Sequence, residues 1–276
     1  MNNRIDKEEI IIGLRKLGLC EGDKVIVHSS LKSMGLIYGG ADTLIDALLE
    51  AVGINGLVMV PTFTYSYENN EGTMPYNKYK TPSQTGLVTD IFRRRRNAFR
   101  SDHPTHSVAA IGKDAEEYAK GHGPEVPPFD INTPIQRLAK DGGYILLIGV
   151  SHNTDSTIHV AECIANLPFL DIKNRESHGD FCLIESNNGK IIRFPLSKKL
   201  PACDNMFNEI EKLEDIKKQQ KEGYVGNAFC KLIKGSVLLD ILVKVLRDNP
   251  GYFLCNEEKC WSCSERKKRL ELNIKR

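Results

Sequence analysis

His159 and Glu162, three residues apart in Thr157-Ile-His-Val-Ala-Glu162, have the residue types and spacing for proton transfer. If a helix opens near Ser156 or Thr157, its first turn carries His159 and sets Glu162 on the same face. The positive end of such a helix disfavours an imidazolium, so His159 would stand there as a neutral proton acceptor. A base of this kind takes a proton from an incoming nucleophile, such as an amine that arrives as an ammonium and must shed a proton before its lone pair can attack. A second constellation, Arg100-Ser-Asp-His-Pro-Thr-His-Ser107, sets Asp102, His103, His106 and Ser107 just before a small apolar run, at the lip of a sheet. His103-x2-His106 is too short and isolated for a zinc site, since neither H-E-x-x-H nor a third ligand at matched spacing accompanies it. His28-Ser29-Ser30-Leu31 ends another apolar run, and Gly39-Gly40 precedes a helical pattern. Glycines there leave N–H groups free to face an anion, or simply make a turn.

Cysteine supplies the other candidate chemistry. Cys20, Cys163, Cys182 and Cys230 stand singly among apolar residues and read as small buried hydrophobes. Cys255-x4-Cys260-x2-Cys263 has zinc-ligand spacing but is one ligand short of a closed site, with Cys203 the first candidate for the fourth. The cluster is read as reduced thiols, with zinc as the alternative.

The elements that must position these residues follow from periodicity. Through the first 170 residues, Val/Ile/Leu-rich runs alternate with helical patterns, as βαβ units around a mostly parallel sheet do. Strands are expected at 25–27, 57–60, 108–111 and 144–150, and helices at 7–17, 42–52, 82–96, 114–121 and 134–140. Thr81-Pro-Ser-Gln84 and Thr133-Pro-Ile-Gln136 both carry helix-start signals: Thr at the N-cap, Pro in the first turn, Gln three residues on. Further along, 181–185 and 190–194 flank Asn188-Gly189 as an antiparallel hairpin. A charged helix over 205–221, a strand at 228–233 and an apolar helix over 236–246, ended by Asn249-Pro250-Gly251, complete the pattern. The expected fold is thus α/β, with flanking helices and an added hairpin in the second half. Residues 1–276 read as one compact domain, with 255–276 as a C-terminal extension.

With 41% hydrophobic and 27% charged residues in 276, the chain has ordinary globular composition. A formal net charge of +2 gives no reason to expect a nucleic-acid partner. Arg93-Arg-Arg-Arg96, the densest positive run, reads as a solvated helix C-terminus. Neither a signal core nor a membrane-length apolar stretch is present, so a cytoplasmic protein without membrane attachment is expected.

Taken in order, His28-Ser-Ser-Leu31, Gly39-Gly-Ala41, Pro61-Thr-Phe-Thr64, the Arg100 to Gly112 segment, His122, Pro127-Pro-Phe129, Thr133-Pro134, Gly143-Tyr-Ile-Leu-Leu-Ile-Gly149, Thr157 to Glu162 and Val225-Gly-Asn-Ala228 make the chain resemble the aminoglycoside 3-N-acetyltransferase family. The resemblance implies transfer of an acetyl group from acetyl-CoA to a primary amine of an amino-sugar. It implies that His28, Ser29, Ser30, Leu31, Ser33, Thr62 and Thr64 wrap the CoA arm and phosphates, with Ser107 at the thioester end. It makes His159 the base, oriented by Asp102 or Glu162, with His106 nearby and Tyr65, Asp171 and Asp204 toward the acceptor. Asp130 stands where the family pattern has Gly, and acidity around Asp204 is sparse for a polycationic drug. A nucleotide-linked amino-sugar, its diphosphate met by Lys173, Arg175, Lys198 and Lys199, is the alternative acceptor. A histidine-dependent metal hydrolase and a non-catalytic scaffold are the rivals in other classes.

Overall fold

The computed structural model describes residues 4–68, 74–172, 180–186, 188–196, 199 and 203–274. Its strands are β1 (Lys24–Ser29), β2 (Leu57–Pro61), β3 (Phe99–Arg100), β4 (Val108–Gly112), β5 (Tyr144–Ile148), β6 (Phe181–Glu185), β7 (Ile191–Pro195), β8 (Lys221–Val225) and β9 (Ala228–Lys234). Its helices are α1 (Lys7–Leu17), α2 (Gly40–Val52), α3 (Leu87–Arg93), α4 (Ala115–Ala119), α5 (Pro134–Lys140), α6 (Thr157–Ala165), α7 (Glu214–Gln219), α8 (Gly235–Asp248) and α9 (Trp261–Ile274).

Side chains of a strand alternate between sheet faces, and both faces here are covered. Val25 and Val27 of β1 enter one core with α1 and α2, while Ile26 between them enters the other with α5, α6 and α8. β5 divides in the same way, with Leu146 and Ile148 on the first face and Ile145 and Leu147 on the second. This two-sided burial explains why these strands read as unbroken apolar runs.

The seven-stranded sheet has the order β3-β4-β2-β1-β5-β9-β8. β1 pairs in parallel with both β2 and β5. Outside this parallel centre, β4, β3, β9 and β8 are antiparallel to their neighbours. The parallel arrangement read from the alternating pattern is therefore the middle of a mixed sheet, flanked by helices as expected. The hairpin β6–β7 forms a separate two-stranded sheet.

The signals at Thr81 do not start a helix. The Thr81 hydroxyl donates to the Pro75 carbonyl, Gln84 reaches the Thr64 carbonyl, and α3 begins only at Leu87 after Gly86. At Thr133 the helix forms with Pro134 in its first turn, although the Thr133 hydroxyl donates to the Asp130 carbonyl rather than capping. The charged segment expected as one helix divides into a 3-10 turn, Phe207–Lys212, then α7 and β8. The C-terminal helix α9 is an addition to the expected elements. Among the described residues, no helix is long and apolar enough to cross a membrane.

Candidate functional site

In an open α/β sheet, ligands gather at the carboxyl ends of parallel strands where connections leave in opposite directions. β1 is such a strand, with β2 on one side and β5 on the other. A cleft of about 340 Å³ lies at this edge, lined by His28 and Ser29 from the end of β1, Pro61 from the end of β2 and Val150 just beyond β5. Phe63, Tyr65, His106, Phe129, Asn153, Asp155, His159, Asp204 and Phe207 form further parts of its wall.

His159 sits in the first turn of α6, as its sequence position implies. Asp155 sets that helix start: its Oδ1 accepts from the Thr157 backbone N–H at 3.0 Å. Three residues along α6 from His159, Glu162 Oε2 meets Nδ1 at 2.7 Å. A carboxylate can only accept, so Nδ1 carries the proton and the Nε2 lone pair is left available. Phe129 lies nearly parallel to the imidazole at 5.2 Å and Phe207 packs edge-on at 4.8 Å, which fixes the ring's plane. Both His159 and Glu162 are buried. Of the two candidate orienting carboxylates, Glu162 is the one bonded to His159.

Asp102 is the correction. Its Oδ1 pairs with Lys78 Nζ at 3.1 Å, and its side chain is 65% exposed. The chain beside β4 turns it outward while the neighbouring histidines turn in. His106 lines the cleft against Phe63 and Phe129, its Nδ1 bonded to the Thr105 hydroxyl at 2.8 Å. His103 lies deeper: its Nδ1 accepts from the His106 N–H at 3.0 Å, so its proton is on Nε2, which donates to the Val126 carbonyl at 3.2 Å. With both nitrogens engaged it has no lone pair to offer a metal, and burial holds it neutral, its pKa lowered to about 3. His122 stacks on His103 at 4.7 Å, and burial keeps it far below its ordinary value too.

At the end of β1, His28 is buried with Nε2 unpartnered in the cleft wall. Burial lowers its pKa, against the opposing pull of the Asp155 carboxylate. Asp155 itself is fully buried, which favours the neutral acid, yet the His152 bond and charge and the Thr157 N–H hold it below the usual carboxylate range. His152 bridges it to Gln220, whose Oε1 lies 2.7 Å from Nε2.

Several expected CoA contacts are structural. Thr62 and Ser107 are buried together, their hydroxyl oxygens 3.0 Å apart, and the Arg100 Nε donates to both. The same guanidinium donates to the carbonyls of Thr62 and Thr81, so Arg100 consumes these hydroxyls as an internal clamp. The Thr64 hydroxyl donates to the Pro104 carbonyl. Ser33 donates to the Gly149 carbonyl at 3.0 Å, fastening the turn after β1 to the loop after β5. Ser30 and Leu31 are half-buried and do not line the cleft. Gly39 and Gly40 take positive φ angles as N-cap and first residue of α2, also away from the cleft. Around the end of α3 the exposed Arg94 pairs with Asp90, as a solvated helix terminus would, whereas the Arg93 side chain is buried against Asp90 and Arg95 is half-buried against Asp42 and Asp46.

Of the residues expected toward the acceptor, Tyr65 and Asp204 line the cleft. Burial, with the Asp204 charge nearby, pushes the Tyr65 phenol up and keeps it protonated. Asp171 does not join them; its carboxylate lies 3.4 Å from Arg269. Lys199 pairs with Asp130 at 2.9 Å, while Lys173, Arg175 and Lys198 lie outside the described residues. Sequence reasoning assigned no site role to Phe129, Phe207 or the Asp155–His152 pair. The polar run after Gly149 was the available signal for the last.

The family described as aminoglycoside 3-N-acetyltransferase matches residues 26–247. Aminoglycoside N(3)-acetyltransferase IV of a Salmonella species is 32% identical over 248 residues, covering 90% of each chain. The prophage-derived aminoglycoside N(3')-acetyltransferase-like protein YokD of Bacillus subtilis is 28% identical over 272 residues, covering 92% of this chain and 94% of its own. Among solved structures, a histidine-to-alanine mutant of AAC(3)-IVa in complex with a gentamicin superposes with a TM-score of 0.83 at 28% identity, over 98% of this chain and 99% of that one. The YokD structure gives 0.78 at 27% identity, over 90% and 95%. With its fold, its cleft and its relatives in agreement, the chain belongs to the aminoglycoside 3-N-acetyltransferase family, CoA-dependent enzymes that acylate an amine.

Proposed function

We propose that this cleft transfers the acetyl group of acetyl-CoA to an amine of an aminoglycoside, by direct attack within a ternary complex and with His159 as the general base. The observation that carries the reading is the buried His159–Glu162 pair, whose 2.7 Å bond leaves one imidazole lone pair at the wall of the cleft. The acceptor ammonium gives a proton to His159 Nε2, and its nitrogen attacks the thioester carbonyl. The C–N bond forms, the C–S bond breaks, the departing sulfur takes a proton from the imidazolium, and the new amide nitrogen releases its second proton to solvent. The net change is thioester plus ammonium to amide, free thiol and one proton.

His28 and Ser29 stand at the carboxyl end of β1, where the thioester end of the donor would lie. His106 walls the same space. Asp204, exposed at the opposite wall beside Tyr65, supplies a carboxylate for a second ammonium of the acceptor. With Lys199 already paired to Asp130, a nucleotide diphosphate has one fewer free cation to meet it. We read residues 1–276 as one compact unit, supported by the packing of Leu270 of α9 and of Phe253 on the main core. We assign it to the cytoplasm, where its acyl donor is made.

A thiol-release assay with acetyl-CoA against aminoglycosides such as gentamicin and apramycin, and against nucleotide-linked amino-sugars, tests the assignment. Turnover on the aminoglycosides is expected. Turnover on nucleotide sugars alone would overturn the acceptor, and none on any amine would overturn the reaction.

A further inference from the structure

We propose that Cys203, Cys255, Cys260 and Cys263 bind one structural zinc ion that fixes the acceptor wall of the cleft. Their sulfur atoms all lie within 4.8 Å of one another. A zinc tetrathiolate with Zn–S bonds of about 2.3 Å has sulfur atoms about 3.8 Å apart. Cys203 and Cys255 approach that edge length at 3.7 Å, whereas a disulfide would hold them at about 2.05 Å. Cys255 and Cys263 are buried and the other two half-buried, and four thiolates complete the tetrahedron. No position remains for water or substrate, so the site is structural rather than catalytic.

The surroundings suit a dianionic centre. On binding zinc, the four thiols release their protons, and Zn²⁺ with four thiolates carries a charge of −2. α9 begins at Trp261, between two of the ligands, and points the positive end of its backbone dipole at them. Lys267, on the same helix, donates to the Cys255 carbonyl at 2.6 Å. The segment also has a need for a cross-link. α9 is rich in charge, with six Lys, Arg or Glu among its residues, and reaches the core mainly through Leu270 and the Arg266 guanidinium over Phe169.

The ligands come from three places in the chain, and their neighbours lead to the reaction site. Asp204 follows Cys203 directly, and Phe207 is three residues further. Phe253, two residues before Cys255, packs on Phe207 at 5.1 Å, and Phe207 packs on His159 at 4.8 Å. Zinc would clamp both ends of this aromatic stack while fixing the backbone that carries Asp204. The effect on acceptor binding rests on the function proposed above; the metal site does not.

The test is metal analysis of the intact protein purified from zinc-supplemented culture, read beside thiol titration under native conditions. About one zinc per chain is expected, with the four cluster thiols becoming reactive to a thiol reagent only when a strong chelator removes the metal, while Cys182 and Cys230 stay protected by burial with or without it. Cobalt(II) in its place should give intense thiolate-to-metal charge-transfer absorption of a tetrahedral site. Cys203→Ser and Cys260→Ser should lose most of the metal and raise KM for the aminoglycoside more than KM for acetyl-CoA, while Cys20→Ser keeps both. Metal-free protein of full stability, or a disulfide between any two of the four detected by mass spectrometry, would overturn the proposal. Should the serine variants fail to fold, the wild-type stoichiometry and cobalt spectrum still decide it, and neither depends on acetyl transfer.

Discussion

His159 is held to one orientation and one tautomer by Glu162 and by the rings of Phe129 and Phe207, which would spare the proposed reaction the cost of arranging its base. Glu162→Gln should therefore keep the fold and lower kcat about ten- to a hundredfold, since the amide no longer stabilises the imidazolium as it forms. Asp102→Asn, which touches only Lys78 at the surface, should leave steady-state kinetics close to wild type; a large loss of kcat there would return the orienting role to Asp102. The pair was legible in the sequence because a helix places residues three apart on one face. Asp102 misled for the complementary reason: closeness along an extended chain says nothing about which way each side chain turns. The hydroxyls of Thr62 and Ser107 misled because nothing local marks Arg100 as their partner, 38 and 7 residues away, whereas the fold buries its guanidinium among them. Phe129 entered the sequence reading only within Pro127-Pro-Phe129 and Phe207 only within a segment expected as a charged helix, and neither context gives an aromatic side chain a partner.

Elements announced by local chemistry were the legible ones. α1 spans the expected residues, with Asp6 accepting from the Glu9 N–H and Glu9 accepting in return from the Asp6 N–H. β1, β2, β4 and β5 were visible because burial on both faces leaves no polar interruption. β8 was not, since this edge strand buries only Val225 and its charged residues suit a solvated helix equally well. At Thr81 the start signals lost to tertiary bonds that turned Thr81 and Gln84 toward the loop beside β2. The turn after β5 shows how an element delivers the site. Gly149 has φ +62°, and a Cβ there would lie 2.3 Å from that of Ser33. Gly149→Ala should cost about 1–3 kcal/mol in urea unfolding and weaken turnover, because it displaces the loop that leads to α6. Wild-type stability and kinetics in that variant would show that the two loops are free to separate.

The whole molecule carries several histidines that its interior keeps uncharged. His103 is lowered to about 3, and His28 and His122 are also depressed by burial. In the unfolded chain each returns to about 6.5. Between the folded and unfolded values the unfolded chain binds more protons, so stability is complete above about pH 6.5 and falls as the pH drops toward 3. Urea unfolding at pH 5 should show a loss of about 2 kcal/mol relative to pH 7 from His103 alone, with His28 and His122 adding in the same direction, and His103→Gln should remove the His103 share. An unchanged unfolding free energy across that interval would contradict the buried, neutral assignment. Acetyl-CoA should raise the melting temperature, a ligand at a hundred times its Kd adding about 2.7 kcal/mol to the folded state. The most direct measurement of the central claim is kcat for acetyl transfer from saturating acetyl-CoA to gentamicin by His159→Ala, beside its acetyl-CoA affinity by calorimetry. A fall of at least about a hundredfold in kcat with affinity nearly intact is predicted; turnover near wild type would contradict the assignment of His159 as the base.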